Sequence, residues 1–249
     1  MSGVLIVNPL AHAVAPAAPG TGGANLLTPD PNEAWLAPAV GVASIDIDLG
    51  QEQLVDSIFL GFTNATAAAH WSISTATAPG EGLVERHAGS LRAADSIGPR
   101  HHAFVRLPVP VASRYFRITT TQSDAEALYA GIVVVGLAFE KYREFGGGRT
   151  PIDTSARQDL IGGGFGIGEG VTKAQFDWSF VDLSDAELQR LWAIKMDRGL
   201  RKPVLVVEDA DLTIGQNEAI HYGLFARFQA YERQDPAQTR WAGSILQWV

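Results

Sequence analysis

From Trp35 to Tyr142 one pattern recurs: short runs rich in β-branched and aromatic residues, in which apolar and polar side chains alternate. A period of two places successive side chains on opposite faces of a strand, and no helix can use it. In Val42–Gly50, Ile45, Ile47 and Leu49 face one way, and Ser44, Asp46 and Asp48 the other. Val55–Phe62 sets Ile58 and Leu60 against Phe59, and Ala69–Ala76 alternates through Trp71 and Ile73. A further run holds Phe104 and Val105, and Ser113–Thr121 sets Tyr115 against Phe116. Tyr129–Tyr142 is almost continuously apolar, as a strand buried on both faces would be. Strands at this spacing, separated by turn residues, predict an all-β sandwich over residues 35–148.

Lys141–Ser155 holds three glycines, a proline and several charges, and reads as a linker with a domain boundary near residue 148. The second domain, 149–249, has a different rhythm. Ala174–Leu183 alternates strictly, with Phe176, Trp178 and Phe180 on one face and Asp177 and Ser179 on the other. Ser184 and Glu187 have capping-box spacing. Leu188, Leu191, Trp192 and Lys195-Met196 follow with helical periodicity, so a helix over about 184–198 is expected, with Gly199 stopping it. Trp71, Trp178 and Trp192 fit core positions. Strands follow at Lys202–Asp209, Tyr222–Gln234 and Thr239–Val249. The fold class is therefore mainly β: two β-sandwich-type domains, the second with one α-helix. Before the first domain, Val4–Val7 suggests a short strand, and Pro16–Pro31, rich in Pro, Gly, Ala and Thr, is expected to be coil. Residues 1–34 read as an extended N-terminal arm rather than a signal peptide, since the cationic start is missing and the apolar run is short.

Composition excludes several functions. The formal charge is −8, which argues against nucleic-acid binding through phosphate contacts. The eight acidic residues that precede the first basic residue, Arg86, account for the whole excess of 27 acidic over 19 basic residues. Without cysteine, disulfides and thiolate metal sites are impossible. No segment approaches the roughly 20 apolar residues that span a bilayer as a helix.

The run Asp159–Lys173 packs six glycines into positions 162–170. A phosphate loop needs a strand before it and a helix after it. Here the alternating run around Trp178 follows instead. Counted from Gly164 and Gly166, the third glycine of a dinucleotide fingerprint is replaced by Glu169, and no Gly-Lys-Ser/Thr follows. These glycines read as a flexible or closely approached backbone segment. The six histidines (His12, His70, His87, His101, His102 and His221) lack metal-protease spacing, and no Gly-x-Ser-x-Gly elbow occurs. The pair His101-His102 reads as a surface turn. Asp46 and Asp48 share a strand face and read as solvated, and Asp209 and Asp211 read as a turn. No catalytic constellation, metal set or cofactor motif emerges, and a non-enzymatic protein is expected.

Two resemblances add to this. Ile45–Gly50, Val55–Phe62, Trp71–Thr75, Arg114–Thr119 and Gly131–Glu140 come in the order of the discoidin-like, galactose-binding-like jelly roll. That resemblance implies loops at one end of a sandwich that bind glycans or lipids, with Trp35, Arg86, His87, Arg100, His101 and His102 as the candidate glycan contacts. From Asp177 to Val249 the chain resembles distal-tail and minor tail proteins of long-tailed bacteriophages. The cues are the aromatic strand, the capped helix, the Lys202-Pro203 strand and the Tyr222-Gly223 strand. That resemblance implies a structural virion protein of the tail tip or baseplate, assembled in the bacterial host cytoplasm. It implies a six- or three-fold homo-oligomeric ring in contact with other tail proteins, presenting a carbohydrate-binding module to a host glycan. On this reading Val4–Gly23 and the loop Gly162, Gly163, Gly164, Phe165, Gly166, Ile167, Gly168, Glu169 and Gly170 are assembly segments. The alternative is a glycan-binding adhesion module with no ring.

Overall fold

The computed structural model describes residues 3–11, 13–14, 19–92, 96, 98–124, 126–209, 211–212, 215–235 and 238–248. In chain order the strands are β1 (Val4–Pro9), β2 (Ala13–Val14), β3 (Trp35–Leu36), β4 (Gly41–Thr63), β5 (His70–Ala76), β6 (Val84–Ser90), β7 (His101–Gln122), β8 (Tyr129–Ala130) and β9 (Ile132–Lys141). Then come β10 (Gly148–Asp153), β11 (Ala156–Asp159), β12 (Phe165–Gly168), β13 (Thr172–Leu183), helix α1 (Asp185–Arg198), β14 (Val204–Val207), β15 (Ile220–Phe228), β16 (Glu232–Asp235) and β17 (Gln238–Gln247). The chain is mainly β, with one α-helix among the described residues.

Two compact units form. The first is Met1–Glu140 with Leu205–Ile220, and the second is Lys141–Val204 with His221–Val249. The first unit is thus discontinuous, whereas the sequence suggested a single cut near residue 148. The reason is β1. Its residues Val4–Val7 are fully buried, and it pairs antiparallel with β14 in the register Leu5↔Val207. The short strand expected at Val4–Val7 is present as β1, built into the sheet of the first unit. Four consecutive apolar residues bury both faces of a strand, and each side chain removed from water contributes about 1.5–3 kcal/mol.

Within the first unit the strand order is β14-β1-β9-β4-β7-β5-β6, with β2 on β4 and a separate β3–β8 pair. The two alternating runs expected before Thr63 join into one strand, β4, and the two after His101 join into β7. Pro108 and Pro110 lie inside β7 without breaking it, because the ladder skips them: Val111 pairs with Val55, and Arg106 is the next partner, opposite Ser57. Proline offers no N–H, so such a bulge is where a strand tolerates it. Ile45, Ile47, Ile58, Leu60, Trp71, Ile73, Phe116, Ile118, Val133 and Val135 belong to the core.

The second unit holds the antiparallel order β10-β13-β17-β15, with β16 on β17. Phe176, Trp178 and Phe180 are buried, as their alternation requires. Helix α1 carries the expected capping box: Ser184 Oγ accepts from the Glu187 N–H, and a Glu187 carboxylate oxygen accepts from the Ser184 N–H at 2.8 Å. Lys141 Nζ donates to both Glu187 oxygens at 3.0 Å. Leu188, Leu191 and Ile194 form the buried stripe of the helix. Trp192 lies beside that stripe and stays 41% exposed, contrary to the core position expected from the sequence.

Candidate functional site

The first unit carries a depression of about 270 Å³ on strands β5, β6 and β7. Its construction follows from register. Ser72 pairs with Thr119 and His70 with Thr121, while Trp71 pairs with Thr120 and Ile73 with Ile118. Residues two apart share a face. Trp71, Ile73, Ile118 and Thr120 therefore go to the core, and His70, Ser72, Thr119 and Thr121 turn outward. Trp71, Ala88 and Gly89 complete the lining. Ser44 Oγ lies 3.4 Å from Thr119 Oγ1 and extends the row of hydroxyls onto β4. Among the described residues no carboxylate, lysine or arginine lines the depression. It offers hydroxyls that donate and accept, an exposed imidazole and small apolar surfaces. None of its lining residues was expected from the sequence to be a glycan contact.

The six expected glycan contacts divide. Arg86 and His87 lie on β6 beside this depression. Arg86 Nε donates to Thr75 Oγ1 at 3.0 Å. The His87 ring meets Trp71 edge-on at 5.9 Å, and burial pushes its pKa down, against the opposing pull of Glu85. Arg100, His101 and His102 belong to the other end of β7 and gather with Ser96, Asn32 and Asn217. Arg100 Nη2 donates to Asn32 Oδ1 at 2.9 Å, and its guanidinium lies over the Phe62 ring. The two histidines are buried, which corrects the surface turn expected for them. His101 Nδ1 shares a short hydrogen bond with Ser96 Oγ, and burial, then Arg92, lowers its pKa. His102 Nδ1 accepts from the Phe62 N–H at 3.1 Å, and its own backbone N–H donates to Asn217 Oδ1 at 2.8 Å. Both rings hold loops in place. Trp35 is a correction as well. It is 0% exposed, pairs with Ala130, and donates from Nε1 to the Pro19 carbonyl at 3.3 Å, so it presents no face to a ligand.

Of the paired aspartates, Asp46 differs from the solvated reading too. Asp46 is 2% exposed and receives two hydrogen bonds from Arg117, each 2.6 Å. Asp48 is held by Arg114 at 2.7 and 2.9 Å, which lowers its pKa. Asp209 Oδ1 accepts the Asp211 N–H at 2.9 Å, closing a turn. Among the described residues no three His, Asp or Glu side chains converge as a metal set.

In the second unit the glycine-rich stretch is a β-hairpin. Among the described residues β11 and β12 pair only with each other, with Arg157 opposite Ile167 and Asp159 opposite Phe165. Between Gly162 and Gly170, only Gly163 has a positive φ, at 84°. A Cβ on Gly170 would strike the Thr154–Ser155 backbone at 2.4 Å, whereas one on Gly166 or Gly168 would meet nothing closer than 3.7 Å. Gly170→Ala is therefore expected to loosen the hairpin base and speed amide exchange across residues 156–168. Gly166→Ala should leave exchange there unchanged or slower. Exchange mass spectrometry reads both.

No family model and no curated protein matches this chain. Solved structures of carbohydrate-binding modules are similar to about half of it. One is chitosan-binding module 1 derived from a chitosanase/glucanase from Paenibacillus sp. IK-5, at 15% identity and TM-score 0.39, covering 52% of this chain and 95% of that one. Another is CBM32-1 from a family 31 glycoside hydrolase from Clostridium perfringens, at 13% identity and TM-score 0.40, covering 52% and 97%. A third is the CBM32 of AlyQ in complex with 4,5-unsaturated mannuronic acid, at 19% identity and TM-score 0.40, covering 52% and 96%.

Proposed function

We propose that the first unit is a glycan-binding module and that the protein acts by binding rather than by catalysis. The observation that carries this is the depression on β5–β7, lined by Ser72, Thr119, Thr121 and His70, with no Asp, Glu, Lys or Arg side chain among the described lining residues. A neutral polyhydroxylated ring presents alternating hydroxyls and C–H patches. The depression offers hydroxyls that serve as donor or acceptor and small apolar surfaces at Ala88 and Gly89, which match both. Ligand specificity then comes from the spacing of the hydroxyls along β5 and β7, which the sheet ladder fixes. The test is calorimetric titration of the full chain with neutral oligosaccharides selected on a glycan array. Ser72→Ala and Thr121→Val should each weaken binding about 10-fold, the worth of roughly one hydrogen bond, without changing the melting temperature. Unaltered affinity in both variants, or no binding to any array member, would remove the assignment.

A second reading is favoured by a different observation, the apolar hairpin of the second unit. Leu160, Ile161, Phe165 and Ile167 are all exposed on it. A contiguous apolar surface of this kind marks a contact with another macromolecule. On this reading the chain is a structural subunit of a phage tail tip or baseplate, assembled into a six- or three-fold ring that joins tail tube to baseplate in the virion. Negative-stain microscopy of the concentrated protein tests it by the presence or absence of closed rings.

A further inference from the structure

We propose that the depression on β5–β7 takes an internal stretch of a single neutral, extended, β-1,4-linked polysaccharide chain, which runs across the strands rather than along them. This rests on the glycan-binding reading of the first unit and names the form of glycan that fits.

Strand register sets the outward side chains on a grid. One row crosses four strands through Ser44 on β4, Thr119 on β7, Ser72 on β5 and Ala88 on β6. The next row crosses the same strands through Val42, Thr121, His70 and Ser90. Val42 and Ser44 face outward because Ala43 and Ile45 are buried. Neighbouring strands lie about 4.8 Å apart, and residues two apart on one strand about 6.7 Å, so the grid is about 14 Å long across the strands and about 7 Å wide along them.

Along the strands, charged groups border the grid on both sides. Next to Ser44 comes Asp46, opposite Arg117 and bound to it by two hydrogen bonds of 2.6 Å. Past Thr121, β7 ends at Gln122, and Asp124 accepts the Thr66 hydroxyl at 2.8 Å. A chain laid along the strands would run onto groups already bonded to each other, whereas a chain laid across them stays over hydroxyls. In that direction the grid is open at both ends. β6 is the edge of the sheet. On the other side of β4, the partners among the described residues are β2, at Ile47 and Asp48, and β9, at Ser57–Gly61, so neither borders Val42 or Ser44. Val42 is 68% exposed. A site that selects a chain end needs a wall to stop the chain. A site open at both ends admits a chain whose own ends lie elsewhere.

The twist of the sheet narrows the ligand further. Successive strands turn by about 20–25°, so the surface turns by about 60–75° over four strands. The flat face of a crystalline polysaccharide cannot follow that turn. A single chain can, by rotating about its linkages. β-1,4 linkage keeps such a chain extended, with hydroxyls along both edges, whereas a coiled chain would lift off the grid.

The experiment is calorimetric titration of the full-length protein with β-1,4-linked oligomers of glucose and of mannose, from mono- to hexasaccharide, and with soluble glucomannan of graded length. Affinity should rise about 10-fold from disaccharide to hexasaccharide, the worth of roughly one further hydrogen bond. The number of protein molecules bound per glucomannan chain should grow with its length. Ser44→Ala should weaken the hexasaccharide about 10-fold and the disaccharide much less, at an unchanged melting temperature. A disaccharide that binds as tightly as the hexasaccharide, or one protein per glucomannan chain at every length, overturns the internal stretch and leaves glycan binding standing. Equal losses at both lengths in Ser44→Ala overturn the path across β4. Failure of every oligomer and of glucomannan overturns the whole inference, while binding of a different neutral glycan on the array still upholds the broader reading.

Discussion

Trp35→Ala is expected to destabilise the first unit by about 3–5 kcal/mol, lowering its melting temperature by roughly 10 °C. The side chain is wholly enclosed in the core cluster with Leu26, Leu128 and Ala130, so its removal leaves a cavity that short strands β3 and β8 cannot collapse to fill. Its Nε1–H also satisfies the Pro19 carbonyl. Trp35→Phe retains much of the volume and loses that hydrogen bond, so it should cost about 1–3 kcal/mol. Urea titration followed by circular dichroism reads both. A tryptophan that stacked on a sugar would behave in the opposite way: alanine would abolish glycan binding and leave the urea midpoint where it was.

The second large effect concerns Asp46 and Arg117. Arg117→Met leaves a carboxylate buried with its partner gone, and about 3–5 kcal/mol of stability should be lost. Asp46 is enclosed on β4, and the two guanidinium hydrogen bonds are what make its burial tolerable. Replacing both residues together, Asp46→Leu with Arg117→Met, removes the charge and the need for a partner. The double variant is expected to recover most of the loss, because burying an ion pair and burying two apolar side chains of similar size come out nearly even. Equal midpoints for the single and double variants would show that the pair is not coupled. The same comparison at 1 M salt should change little, because a buried pair is screened less than an exposed one.

Much of the architecture can be read from the chain. Strict alternation in Ala174–Leu183 and the Ser184/Glu187 spacing point to β13 and to the capped helix, since both depend on neighbours in sequence. Contacts between distant residues are not legible in this way. The depression on β5–β7 depends on Ser72 meeting Thr119 and His70 meeting Thr121, a register that local patterning leaves open. Trp35 follows a Pro-rich coil and so looks like a loop aromatic; only the pairing of β3 with β8 encloses it. Trp192 is one step off the Leu188–Leu191–Ile194 stripe, a distinction of some tens of degrees around the helix that periodicity over four turns barely resolves. Among the glycines of 162–170, positive φ marks Gly163 alone, and steric crowding marks Gly170. Nothing in their spacing separates those two from the others.

The pairing of β1 with β14 has a consequence for synthesis. A ribosome releases the chain from its N-terminus, so Val4–Val7 emerges some two hundred residues before the strand that borders it. Throughout that interval the nascent unit exposes an unpaired apolar edge, the feature that invites a neighbouring chain to add a strand. Any excision that stops at residue 148 makes this interval permanent. A fragment intended to isolate the first unit therefore needs Leu205–Ile220 restored to it, either as a separate peptide or through a shortened connection from Glu140.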